Sequence, residues 1–204
     1  QQGTLLPVDR AAALEAIAVL GNPTDLRLVF DIAVESATEP AQAATLLALL
    51  VDTQSRRRVS PAGDLAAVTR LLQSRENASL MPAIAASAAW KIAAAATPLA
   101  AIAQDASRPS AQRQAAIRAV GSLAGDAART TLVAIAAAAD ATADDRAAAI
   151  TALVPQWPEA AATQAAAFLA SSTDGKALDA VYRGFLATKG AAAKLAAVLD
   201  AGSK

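Results

Sequence analysis

Residues 99–120 read LAAIAQDASRPSAQRQAAIRAV, and residues 132–153 read LVAIAAAADATADDRAAAITAL. A shift of 33 residues lays one on the other. Leu99 then meets Leu132, Ile102 meets Ile135 and Ala106 meets Ala139. Beyond the central polar stretch, Arg113 meets Arg146, Ala115-Ala116-Ile117 meets Ala148-Ala149-Ile150, and Val120 meets Leu153. The match spans a helical pattern, a connection and a second helical pattern, so the repeating unit is a helical hairpin. A repeat of this length suits helix–turn–helix units that stack on one another and is too short for two βαβ turns.

The second half of the unit recurs elsewhere. Arg10-Ala11-Ala12-Ala13-Leu14-Glu15-Ala16-Ile17 aligns with Arg113-Gln114-Ala115-Ala116-Ile117-Arg118-Ala119-Val120, and Gln42-Ala43-Ala44-Thr45-Leu46-Leu47-Ala48-Leu49 carries a further copy. A weaker copy places Ala180-Val181 ahead of Phe185. The periodicity is helical: Leu14, Ile17 and Leu20 share a face, as do Ile117, Val120 and Ala124, and Ile150, Leu153 and Val154. Gly21, Gly125 and Gly190 stand where left-handed helix C-caps are expected. Ser110, Thr142 and Asp174 stand where N-caps are expected, and Thr142 with Asp145 resembles a capping box.

These patterns predict an all-α fold, an α-solenoid of about six HEAT-like hairpins wound as a right-handed superhelix. The hairpins are expected at 8–36, 40–74, 78–107, 108–139, 141–172 and 174–200, within one domain over 1–204. The third is irregular. Its first helix is predicted over 78–94, with Trp90 where the others carry Ile or Leu, and Pro98 opens its partner. Residues 54–64 (QSRRRVSPAGD) are the most loop-like interruption.

Composition agrees with many small contacts. Hydrophobic residues make up 55% of the chain but aromatic ones only 3%, so most of the apolar content is alanine. Alanine favours helix and close packing while burying little area per residue. The β-branched and aromatic runs expected of strands are missing. The apolar window 83–103 is interrupted by Lys91 and Pro98, which excludes a membrane-spanning reading. A chain that begins at Gln1 implies a removed signal peptide or a piece of a longer polypeptide.

The same composition bears on chemistry. Histidine and cysteine are both absent, which removes the commonest general base, the commonest metal ligands and the thiol nucleophile. Any metal site would be all-oxygen. The candidate carboxylates, Asp144-Asp145 and Glu35 with Glu39, read as helix-start and solvated residues. Ser87, Ser110 and Ser122 lie in no nucleophile motif. No catalytic, cofactor or metal residue is therefore expected. Eighteen basic residues balance eighteen acidic ones, without the surplus that phosphate binding exploits. A HEAT-scaffold enzyme of the DNA-glycosylase kind is the alternative that this balance disfavours, and no nucleic-acid partner is expected.

Partner contact is expected, if anywhere, at three features. The run Arg56-Arg57-Arg58 either meets an anionic partner or closes a helix end. The ladder of Arg10, Arg113 and Arg146 either lines a binding face or pairs within the fold. Trp157, between Pro155 and Pro158, sits at a hairpin turn, and both it and Trp90 are otherwise inter-repeat wedges.

The stretches Gly21-Asn22-Pro23-Thr24-Asp25-Leu26-Arg27, Ala88-Ala89-Trp90-Lys91 and Arg113-Gln114-Ala115-Ala116-Ile117 resemble the HEAT-repeat region of large modular proteins of planctomycetes and verrucomicrobia. Those proteins resemble membrane-bound dehydrogenases and join a propeller, a HEAT-like segment and a c-type cytochrome module. The resemblance implies a spacer or docking segment, periplasmic or secreted, whose partner is another protein or an adjoining propeller or cytochrome module. It carries over no catalytic or cofactor residue, because the Cys-x-x-Cys-His haem motif is absent.

Overall fold

A computed structural model describes residues 7–35, 39–73 and 78–202, and among them every regular element is helical. The expected hairpin ends at 36 and 74 lie outside the described residues. The chain divides into two compact units, Gln1–Ala95 and Ala96–Lys204, a division that falls within the expected third hairpin.

The first unit contains α1 (Pro7–Leu20), α2 (Pro23–Val34), α3 (Pro40–Arg57) and α4 (Leu80–Ala89), with 3₁₀ segments at Ala66–Gln73 and Ala93–Ala95. Proline opens α2 and α3, where its missing N–H costs nothing and its fixed φ suits the first turn. Asn22 caps α2 through the Thr24 and Asp25 amides at 2.9 and 3.1 Å, and Asp25 returns the bond to the Asn22 amide at 3.1 Å. Here the reciprocal capping box is complete. α1 packs on α2 and α3, α2 packs on α3 and on Ala66–Gln73, and α4 packs on α3 and on the same 3₁₀ segment. Leu26, Phe30, Leu46, Leu47, Leu50, Val68 and Leu72 form the core.

Several local expectations give way here. Leu20 is exposed, so the apolar face of α1 ends at Leu14 and Ala18. Gly21 is not left-handed; its amide bonds Ile17 at 2.8 Å and the chain turns straight into the Asn22 cap. The interruption at 54–64 is helical as far as Arg57. Its loop is tied down, since the Ala62 amide bonds Pro23 at 2.9 Å and the Arg27 guanidinium donates to the Ala62 and Asp64 carbonyls. The helix predicted over 78–94 stops at Ala89. Lys91 takes φ 51°, its amide bonds Ala88 at 3.3 Å, and the Ile92 amide bonds Ser87 at 3.0 Å. These two bonds make a Schellman ending with lysine in the usual glycine position. Buried Ile92 supplies the apolar contact that holds it.

The second unit contains α5 (Ala96–Gln104), α6 (Ser110–Leu123), α7 (Asp126–Ala137), α8 (Ala143–Leu153), α9 (Pro158–Ser171), α10 (Gly175–Ala187) and α11 (Ala191–Gly202). Helices pack on the next but one and, α9 and α10 excepted, on their sequence neighbours. One row runs α5, α7, α9, α11 and the other α6, α8, α10. The aligned residues Leu99, Ile102, Ile117, Val120, Leu132, Ile135, Ile150 and Leu153 are all buried between the rows. Thr142 and Asp174 cap α8 and α10 through their side chains. Ser110 does not cap α6, because the helix already begins there behind Pro109, and its hydroxyl accepts from the Gln114 side-chain Nε2 instead. Lys194 on α11 reaches Glu159 on α9 at 3.1 Å, and that hydrogen bond holds the Glu159 carboxyl below its ordinary value.

Within the second row the helices touch almost backbone to backbone. A Cβ on Gly121 of α6 would lie 2.9 Å from the Ala152 Cβ and 3.1 Å from the Ala152 carbonyl oxygen of α8. Three residues on, exposed Ala124 closes α6 at φ 63° and ψ 177°, followed by Gly125 at φ 89°. Gly125 is thus the residue before α7 rather than the cap of α6. That region of backbone space is nearly reserved for glycine and costs other residues about 1–3 kcal/mol. The two positions therefore respond in opposite directions. Gly121→Ala should destabilise by about 1–3 kcal/mol through overpacking, against its better helix propensity. Ala124→Gly should stabilise by about 1 kcal/mol. Urea unfolding of both variants checks the pair; equal signs would show that this geometry does not govern stability.

Candidate functional site

Arg113 lies in the first turn of α6 and Asp145 in the first turn of α8, one repeat later. The Arg113 Nε and Nη2 donate to Asp145 Oδ2 at 2.9 and 2.7 Å, and Nη1 donates to the Arg108 carbonyl. Both residues are buried, at 9% and 4% exposure. The Asp145 amide donates to the Thr142 hydroxyl at 3.1 Å, half of the expected capping box. The other half does not form, because the carboxylate turns to Arg113. Asp145 is thus an N-terminal helix residue favoured by the dipole and also one partner of a buried ion pair. Its Oδ1 is buried and receives no hydrogen bond among the described residues.

This pair borders a cleft of about 350 Å³. Ala103, Gln104 and Ala106 line it from the α5 side, Ala134, Ile135 and Ala138 from α7, and Asp140, Ala141 and Thr142 from the turn into α8. The walls are largely methyl groups, and the polar groups gather at the α8 start. Pockets of this size with a few convergent polar groups are where small ligands bind.

The other expected contact residues are dispersed. Arg146, one repeat after Arg113, donates from Nε to the Ala136 carbonyl at 2.9 Å and stands 5.0 Å from the centre of the Phe168 ring. Arg113 and Arg146 therefore work inside the fold, joining successive elements, while Arg10 is exposed on α1. The run 56–58 splits three ways. Arg56 pairs with Asp52 at 2.8 Å, and that hydrogen bond raises its pKa. Arg57 donates to the Val19 and Gly21 carbonyls at 2.6 and 3.2 Å, satisfying the open end of α1. Arg58 closes α3 in the left-handed conformation at φ 59°, with its side chain exposed. Trp157 is half-buried at the start of α9. Trp90 packs edge-on against Phe30, ring centres 5.7 Å apart, with its Nε1 buried and unpartnered among the described residues.

Sequence reasoning missed two features. Asp145 carried a usable signal, an acid 32 residues after an arginine that recurs with the repeat. The second is on α10, where Tyr182 and Leu186 are 46% and 75% exposed. Their spacing marks an apolar stripe one turn long. Among the described residues, no group of carboxylates is gathered as a metal site and no helix is long and apolar enough to cross a membrane. Comparison of the chain with family models, with curated proteins and with solved structures finds no match.

Removing one partner of a buried ion pair leaves the other charge desolvated and costs about 3–5 kcal/mol, whereas replacing both is far milder. Asp145→Ala should therefore destabilise by about 3 kcal/mol, and Arg113→Met with Asp145→Leu should recover most of that loss. A double-mutant cycle by urea unfolding measures the coupling; purely additive losses would show that the pair is not coupled.

Proposed function

We propose that this chain is a non-catalytic interaction or spacer module of HEAT-like hairpins, about six in number, that docks another protein or an adjoining domain. The observation that supports this is the outer flank of α10. Thr151 of α8 is covered by α10: a Cβ on Gly184 would lie 2.7 Å from the Thr151 Cγ2. In the repeat alignment Ala149-Ile150-Thr151 corresponds to Ala180-Val181-Tyr182. Tyr182 thus occupies, on α10, the position that the next helix covers on α8. It is exposed there together with Leu186, beside the Asp179–Arg183 pair at 2.8 Å. Stacked repeats end on a polar face when nothing follows them. A tyrosine and a leucine one turn apart suit a surface that something else covers, since aromatic and aliphatic anchors with a charged rim favour protein contact.

The balanced charge and the absence of histidine and cysteine fit this reading better than an enzymatic one. The resemblance to modular redox proteins suggests the setting, a spacer beside a propeller or a cytochrome module in an exported protein. A Cys-x-x-Cys-His motif in the adjoining coding sequence is expected on that account.

A photo-crosslinking amino acid in place of Tyr182 should give an adduct of discrete mass in the producing cell, read on a denaturing gel. The adduct should disappear with Leu186→Glu and should not form from exposed Thr163 on α9. No adduct at 182, or an equal one at 163, would overturn the docking role of this flank.

A further inference from the structure

We infer that the cleft at the start of α8 is a binding site for a primary ammonium group carried on a short alkyl chain. A carboxylate offers about four lone-pair positions, and a buried acceptor left without a donor is costly. Arg113 directs Nε and Nη2 to Oδ2 of Asp145 and Nη1 to the Arg108 carbonyl, so Oδ1 receives no donor among the described residues. Asp145 borders the cleft. Oδ1 is covered in this geometry, so binding would require the carboxylate to turn about its soft terminal torsion until Oδ1 meets an N–H in the cleft while Oδ2 keeps Arg113.

The charge around the cleft favours a cation. Arg113 is matched by Asp145, which leaves the exposed carboxylate of Asp140 as the uncompensated charge in the lining. An anion would meet that carboxylate and find the Arg113 side chain already engaged. The Ala134, Ile135 and Ala138 side of the cleft is apolar and suits methylene groups, as along the stem of a lysine. Oδ1 needs a hydrogen-bond donor, which a quaternary ammonium lacks, and the Asp140 carboxylate favours a charged donor over a neutral hydroxyl. This site belongs to α5–α8 and is independent of the docking role assigned to α10.

The test is an amide chemical-shift titration of the whole chain with n-butylammonium, n-butanol and tetramethylammonium at constant ionic strength. Butylammonium should produce saturable shifts at Gln104, Ile135 and Thr142, half-saturating at or below about 10 mM. Butanol and tetramethylammonium should not saturate. Asp140→Asn should weaken binding by about threefold or more. Ala134→Leu, which narrows the cleft without touching the ion pair, should abolish it. Acetyl-Ala-Lys-Ala-amide distinguishes the source of the ammonium: tighter binding than butylammonium identifies a lysine of a partner chain, and equal or weaker binding a free amine. Linear shifts, equal response to tetramethylammonium, or unchanged binding in Ala134→Leu would each overturn the site.

Discussion

A chain whose apolar residues are mostly alanine obtains little burial from any one side chain, so its helices must approach closely to exclude water. The row α6, α8, α10 meets that requirement at two glycines. Gly121 lies against Ala152 and Gly184 against Thr151, each with no room for a methyl group on the glycine. Around them Ala116, Ala149, Ala161, Ala162 and Ala165 are fully buried. Larger residues then serve as spacers between rows, with Ile117, Ile150, Phe168 and Phe185 filling what the alanines leave. The close row also sets what long polar side chains can do. Arg113 spans from α6 to α8 because consecutive helices of the row are near enough for one guanidinium to bridge them.

The arginine position of the repeat shows how one sequence signal takes different physical roles. At Arg113 the following repeat supplies Asp145, and a buried ion pair forms with two N–H donors on one carboxylate oxygen. At Arg146 the residue of the following repeat that corresponds to Asp145 is Lys176, a base rather than an acid. Its guanidinium accordingly turns to the open Ala136 carbonyl and to the face of Phe168. Lys176 in turn reaches back to Asp144 at 3.4 Å. Arg57 serves α1 in a comparable way through the Val19 and Gly21 carbonyls. Helix ends leave carbonyls unsatisfied, and in this chain arginines from the next element supply the missing donors.

Legibility in the sequence followed the range of the interaction. The helical class and the buried isoleucines and leucines of 99–153 were plain, because helix periodicity and a repeat shift need no knowledge of tertiary contacts. Caps at Thr142 and Asp174 were equally local. Expectations failed where a contact from elsewhere outweighed local pattern. Leu20 keeps the period of α1 but lies beyond the part of α1 that is covered. Ser110 has cap chemistry, yet Pro109 lets the helix begin one residue early. Asp145 has both cap and dipole chemistry, and neither discloses that Arg113, 32 residues before it, takes its carboxylate. The 3₁₀ path of Ala66–Gln73 arises where Asp64 fixes the first turn through the Ala66 amide at 2.9 Å.

Among the described residues of the second unit, two departures from the repeat pattern leave a group unmatched. An acid enters the first turn of α8 where α6 has Gln112, and one of its oxygens is left beside a cleft without a donor among the described residues. A tyrosine enters α10 where α8 has threonine, and it is left about half exposed. Elsewhere in the second unit, apart from Ala124 at φ 63°, local propensity, apolar pattern and capping largely agree with the packing, which is what a sequence selected for folding alone would show throughout. Neither departure improves stability: a buried carboxylate oxygen without a donor and an exposed tyrosine–leucine stripe both cost free energy in the isolated chain. Asp145 is held by its pairing with Arg113, so what a ligand or a covering surface would offset is the donorless oxygen and the exposed stripe rather than the residues themselves.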